Sequence, residues 1–168
     1  LEHVVDLLQF CDLAAGHFPM IYRDLLLTGA ILHDIGKIYE LSWERGFEYT
    51  LEGQLIGHIS IATRLLDEKV QALPGFPKHI HTLVEHMILS HHGSLEFGSP
   101  KLPMIPEAVL LHYLDDAEAK MLAMREACQP EGLPAPVYID RVRALERPLV
   151  NTRQYLAEAE SKKQVGNE

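Results

Sequence analysis

A chain of 168 residues with 47% apolar side chains is long enough to bury one core and too apolar for global disorder. Its formal net charge of −9 excludes a surface that holds nucleic acid by bulk charge alone. Any such role needs bound cations, a local basic rim or a separate binding domain.

The chain reads as helical nearly throughout. Val4, Val5, Leu7, Leu8 and Cys11 put an apolar stripe on a first helix, and Leu25 to Leu32 is apolar almost all round, as a buried central helix would be. Gly36 follows where a helix often stops. Tyr39 to Thr50 alternates and turns at Gly46, which predicts a small β-hairpin near residues 39–50. Helical spacing returns from Gln54 to Val70, breaks at Leu73-Pro74-Gly75-Phe76-Pro77, and resumes from Lys78 to Ser90. After a Gly/Ser/Pro loop from Ser94 to Pro103, Pro106 opens a long helix to about Arg125. Ala127 to Pro136 is a loop, Tyr138 to Leu149 is expected as one more helix, and Ala157 to Glu168 as a frayed or partly helical tail.

Cys11 and Cys128 lie outside any CxxC pair, which argues against a disulfide framework or thiolate zinc site and suits a reducing cytoplasm. No apolar run reaches the roughly 18 residues of a membrane span, and no signal peptide is visible. A cytoplasmic protein without membrane contact is expected.

The chemistry concentrates in the ten histidines. His33-Asp34 ends the apolar run Leu25–Leu32, with no basic residue one helical turn upstream, and burying such groups unpaired costs several kcal/mol. Two readings stand here: a pair that caps the helix end and satisfies itself locally, or a divalent cation bound by imidazole and carboxylate together. His58 begins another apolar helical stretch, His91-His92 ends the helix of Met87-Ile88-Leu89, and Asp115-Asp116 falls within an apolar helix. His3 offers a further ligand from the first helix. Helical proteins commonly build metal sites from such inward-facing side chains on several helices. His17, His79 and His81 read as ordinary solvated residues, His86 as intermediate, and His112 as a partner one turn from Asp115.

Four stretches carry a resemblance: LLLTGAILHDIGK (25–37), YTLEGQLIGHIS (49–60), HMILSHHGSLEFGSP (86–100) and PEAVLLHYLDDAEAKM (106–121). With His3 they follow the HD-superfamily pattern, and they resemble most closely the HD domain of YhaM-type 3′→5′ exoribonucleases. The resemblance covers about residues 1 to 125 and implies an all-α HD-domain bundle; the domain is expected over residues 1–150, with 151–168 as a C-terminal tail, helical or partly disordered. It implies phosphodiester hydrolysis on RNA or single-stranded nucleic acid by a metal-activated hydroxide. His3, His33, Asp34 and Asp115 would hold one divalent ion, and Asp34 would bridge to a second held by His58, His91 and His92; Mn, Fe, Co, Ni, Zn and Mg all remain eligible. Asp115 is preferred to Asp116 because it takes the first position of the family's Asp-x-x-Asp-Ala pattern, although Glu118 stands where the second Asp is usual.

Lys37, just past the dyad, is either a catalytic phosphate contact or a solvated lysine at a helix end. The family joins this domain to an upstream OB-type domain. The chain starts at Leu1 rather than Met, so it reads as part of a longer protein; a homo-oligomer stays open. Two rival functions stay open too: a nucleotidase or cyclic-nucleotide phosphodiesterase using the same site, and a non-catalytic module acting through partner binding. A cyclic-dinucleotide enzyme fits less well, since His91-His92 runs into Gly-Ser-Leu-Glu rather than Gly-Tyr-Pro.

Overall fold

The structure, a computed structural model, describes residues 2–42 and 48–165. Helices α1 (Glu2–His17), α2 (Arg23–Leu32) and α3 (Lys37–Glu40) lead into strands β1 (Leu41–Ser42) and β2 (Glu48–Tyr49). Helices α4 (Leu51–Ile56), α5 (His58–Gln71), α6 (Lys78–Ser90) and α7 (Pro106–Cys128) follow, then β3 (Tyr138–Val142), β4 (Arg147–Val150) and α8 (Thr152–Val165). The fold is all-α with small antiparallel hairpins, β1–β2 and β3–β4. The first lies where the alternation of residues 39–50 predicts it; its connecting residues 43–47 lie outside the described ones. No helix among the described residues is long and apolar enough to cross a membrane.

The chain forms two compact units, Leu1–Asp115 and Asp116–Glu168. In the first, Leu7 and Cys11 of α1, Leu26 and Ala30 of α2, Met87 of α6, and Ala108 and Leu111 of α7 close one core cluster. Ile59 and Ala62 of α5 with Val84 and Ile88 of α6 form another. Helices α2 and α6 serve both clusters, because Leu25 and Leu32 also pack on the second. That double use explains why residues 25–32 lack a polar stripe, although Ile31 is half exposed. Burial at about 25 cal/mol per Å² of apolar surface, summed over these side chains, fixes the helix ends that carry the histidines.

Two predicted helices come out differently. The stretch from Gln54 to Val70 is not one helix: Gly57 takes φ 77°, a conformation L-residues rarely adopt, and parts α4 from α5. Thr50 caps α4, its Oγ1 accepting from the Gly53 N–H at 2.9 Å. The stretch from Tyr138 to Leu149, expected as a helix, is the β3–β4 hairpin, with Ile139 opposite Leu149 and Val142 opposite Arg147. Tyr138, Val142, Leu145 and Leu149 happen to follow helical spacing. Tyr, Ile and Val nevertheless favour the extended chain, and Pro148 would break a helix interior. Within this second unit Asn151 joins the pieces: its amide donates to the Cys128 carbonyl at 3.0 Å and its backbone N–H to the Val137 carbonyl at 2.8 Å. The chain from 152 onward is helical to Val165.

Candidate metal centre

Two helix ends, two helix starts and one position within a helix bring the chemistry together in the first unit. His33 and Asp34 follow the C-terminus of α2, and His91 and His92 follow that of α6. His58 opens α5, His3 lies in the first turn of α1, and Asp115 lies within α7. The rings form a continuous chain: His3 to His33 at 5.8 Å between centroids, His33 to His91 at 5.1 Å, His91 to His92 at 4.3 Å and His92 to His58 at 5.2 Å.

Hydrogen bonding fixes which face each ring shows. A backbone carbonyl only accepts, so the Nδ1 of His33, 2.9 Å from Ala30 O, carries the hydrogen. The same holds for His91 against Ile88 O (2.8 Å) and His92 against Phe97 O (2.8 Å). In a neutral ring the Nε2 is then a bare lone pair. Burial pushes the pKa of His91 down to about 3 and that of His92 down as well, so both are neutral at ordinary pH.

These lone pairs converge on a carboxylate. Asp34 Oδ1 is 3.6 Å from His58 Nε2 and 3.7 Å from His91 Nε2, while Oδ2 is 3.3 Å from His33 Nε2. His33 Nε2, His58 Nε2, His91 Nε2 and Asp34 Oδ1 are all buried without a hydrogen-bond partner. Burial pulls the Asp34 pKa up. His33 and Lys37, whose Nζ donates to Oδ2 at 2.6 Å, outweigh it and hold the carboxyl well below the usual range. Asp115 is alike: burial raises its pKa, while His3, at 3.0 Å, and the charge of His33 bring it below normal. Acceptor atoms thus face one another at under 4 Å, and each one left unsatisfied costs about 1–3 kcal/mol. A divalent cation would satisfy imidazole lone pairs and carboxylate oxygens at once, so the donor set fits a divalent metal. Two triads, His58–His91–His92 and His3–His33–Asp34, each hold three ligand atoms within 4.8 Å of one another.

All seven residues singled out as ligands, His3, His33, Asp34, His58, His91, His92 and Asp115, therefore sit around one space, and Lys37 reaches it through Asp34. Asp116 instead takes Lys120, at 2.6 Å. His112 donates from Nδ1 to the His91 carbonyl at 3.0 Å, bracing the backbone that carries the ring. His86 accepts from the Met104 N–H at 2.9 Å, a loop tie. The expectation for His81 needs correcting: it is half-buried against Asp67, 2.8 Å away, because α5 and α6 bring those surfaces together. Glu40 was missed. It is 7% exposed, and its Oε1 accepts from both the backbone N–H (2.9 Å) and Nδ1 (3.2 Å) of His58. Its only sequence signal is an acidic residue amid the apolar Ile38, Tyr39 and Leu41.

Comparison with known proteins gives the family. Residues 1–120 match the HD domain model. The chain belongs to the HD domain family. The chain is 44% identical over 144 residues to the 3′-5′ exoribonuclease YhaM of Bacillus velezensis and to that of Bacillus subtilis, and 42% identical to that of a Geobacillus species. The alignments take in 86% of this chain and 44–45% of each relative, so the chain spans just under half the length of the curated proteins it matches. No solved structure matches it. HD domains are metal-dependent, and the histidine–aspartate triads of this one are of the kind that binds a divalent ion.

Proposed function

We propose that this HD domain, taken as residues 1–150 with 151–168 as a C-terminal extension, is the catalytic part of a cytoplasmic 3′→5′ exoribonuclease. The observation that carries the reading is the set of buried, unpartnered Nε2 atoms turned toward the Asp34 carboxylate. His3, His33, Asp34 and Asp115 would hold one divalent ion, and Asp34, His58, His91 and His92 a second. Two such ions lower the pKa of a shared water and neutralise phosphoryl oxygens. The protein's own contribution is orientation: carbonyls of Ala30, Ile88 and Phe97 lock three rings with Nε2 outward, so no rotamer search precedes binding. A site with four or five imidazoles favours Mn, Fe, Co, Ni or Zn over Mg.

Lys37, with a side chain 44% exposed, is given the role of holding a non-bridging phosphate oxygen at the mouth of the site. The YhaM relatives are exoribonucleases by name, and RNA is carried to this chain from them. Retention of single strands against the net charge of −9 is assigned to an upstream OB-type domain, or to a homo-oligomer that joins several sites. The test is a 5′-labelled RNA oligomer incubated with the chain and Mn²⁺, beside nucleoside monophosphates and cyclic nucleotides. A ladder shortening from the 3′ end supports the reading. Release of phosphate from monophosphates with RNA left intact would replace it with a nucleotidase.

A further inference from the structure

Four of the clustered histidines have a defined Nδ1 partner. Three of those partners are neutral backbone carbonyls; the fourth, for His58, is the Glu40 carboxylate. We propose that Glu40 is a positioning residue for metal loading, which orients His58 and strengthens its Nε2 as a donor to the ion shared with His91 and His92. The inference rests on the metal reading above.

The geometry separates His58 from the other rings. A carbonyl fixes a tautomer but carries no charge. A buried carboxylate also favours positive charge on the ring, which raises the electron density that Nε2 can offer. Glu40 is buried at 7% exposure, and among the described residues no lysine or arginine pairs with it. Its one oxygen takes the His58 backbone N–H and ring N–H together, so the start of α5 and the ring angle are set by the same atom. Glu40 is itself held from behind: its carbonyl accepts from the Thr50 N–H at 2.9 Å and the Thr50 hydroxyl at 3.2 Å. Glu40 is therefore anchored at the end of α3 by the residue that caps α4, while its carboxylate directs a ring on α5. His58 needs this more than His33 and His91 do. His33 and His91 are 1% exposed and wedged in the core, whereas the His58 side chain is 13% exposed and opens its helix just after a glycine break.

A carboxylate present only to tie α3 to α5 would leave ion affinity alone once the chain is folded. The experiment is calorimetric titration of Mn²⁺ into the metal-stripped full chain, for the wild type, Glu40→Gln, Glu40→Ala, His58→Ala and the Glu40→Ala/His58→Ala pair. Nitrogen-15 histidine NMR of the same samples reads the ring tautomers. The wild type is expected to load two ions. Glu40→Ala should weaken one of the two steps by about 10–100-fold and leave the other unchanged. Glu40→Gln, which keeps the acceptor and loses the charge, should fall between. His58 should lose its fixed Nδ1–H form in Glu40→Ala, and adding Glu40→Ala to His58→Ala should have no further effect on loading.

The inference is overturned if folded Glu40→Ala loads both ions as the wild type does, or if it weakens loading equally in the His58→Ala background. Should Glu40→Ala fail to fold, Glu40→Gln decides: unchanged loading overturns the inference, and a selectively weakened step upholds it. A folded wild type that binds no Mn²⁺ refutes the metal reading itself, and the inference with it.

Discussion

Burial and charge pull on Asp34 in opposite directions, and charge wins because His33 and Lys37 stand within 3.3 Å and 2.6 Å of the same oxygen. The carboxylate is thus ionised where the Nε2 atoms of His33, His58 and His91 meet. Asp34→Ala should remove the proposed shared ligand: metal content by elemental analysis is expected to fall, and phosphodiester hydrolysis to drop by about three orders of magnitude or more. Full activity in that variant would rule out Asp34 as the shared ligand. Acidity gives a second test at this scale. The unfolded chain protonates His91 near its ordinary value of 6.5, while the folded chain holds it neutral down to about 3. As pH falls between those limits the unfolded state gains protons first, so His91 alone removes about 1.4 kcal/mol of stability per pH unit once its unfolded form is fully protonated. His92 is lowered too and acts in the same sense. Asp34 and Asp115, held below 3.8 in the fold, add stability above that pH that is lost on further acidification. Melting of the metal-free chain should therefore drop steadily from pH 7 to 4; a rise in melting temperature over that interval would contradict these shifts.

Among the elements, those built on strong periodicity and terminal signals were legible from residues alone. Lys78–Ser90 has the predicted ends because Pro77 precedes it and His91-His92-Gly93 follows, and Pro106 opens α7 as expected. The break at Gly57 was not legible, because Leu55, Ile59 and Ala62 keep helical spacing straight across it. Only the demand that His58 N–H meet Glu40 shows why a helix must restart there. The β3–β4 hairpin was hidden by the same coincidence of spacing. At the candidate site, ligand-type residues in apolar surroundings could be picked out singly. Glu40 could not, since its role depends on α3 packing beside α5, a contact between residues 18 apart. That contact is tight: a Cβ at Gly36 would lie 2.0 Å from the His58 carbonyl oxygen, backbone against helix. Gly36→Ala is expected to destabilise by about 2 kcal/mol or more, as overpacking of backbone does, and to weaken metal loading through His58, checked by thermal melts and Mn²⁺ titration. Leu26→Ala, in the core between α1, α2 and α6, should cost about 2–5 kcal/mol but leave the loading of the still-folded fraction intact.

For the molecule as a whole, charge decides how substrate is met. A net charge of −9 repels a polyanion, so in the proposed reading this domain's own hold on RNA comes from bound cations at the site, and any further retention from the separate domain or the oligomer. A chain that grips only the terminal phosphates should show a shallow dependence of log affinity on log monovalent salt, with a slope of about −1 to −2 on single strands. A much steeper slope would reveal a basic track that the sequence does not display. The deciding measurement is the metal content of gently purified chain by elemental analysis, followed by chelation and return of Mn²⁺ in the labelled RNA assay. The proposed two-ion site predicts about two divalent ions per chain, cleavage lost on chelation and cleavage regained with Mn²⁺. A folded chain that holds no divalent ion, or that cleaves RNA equally well after stripping, would contradict a metal-built active site at His33 and Asp34.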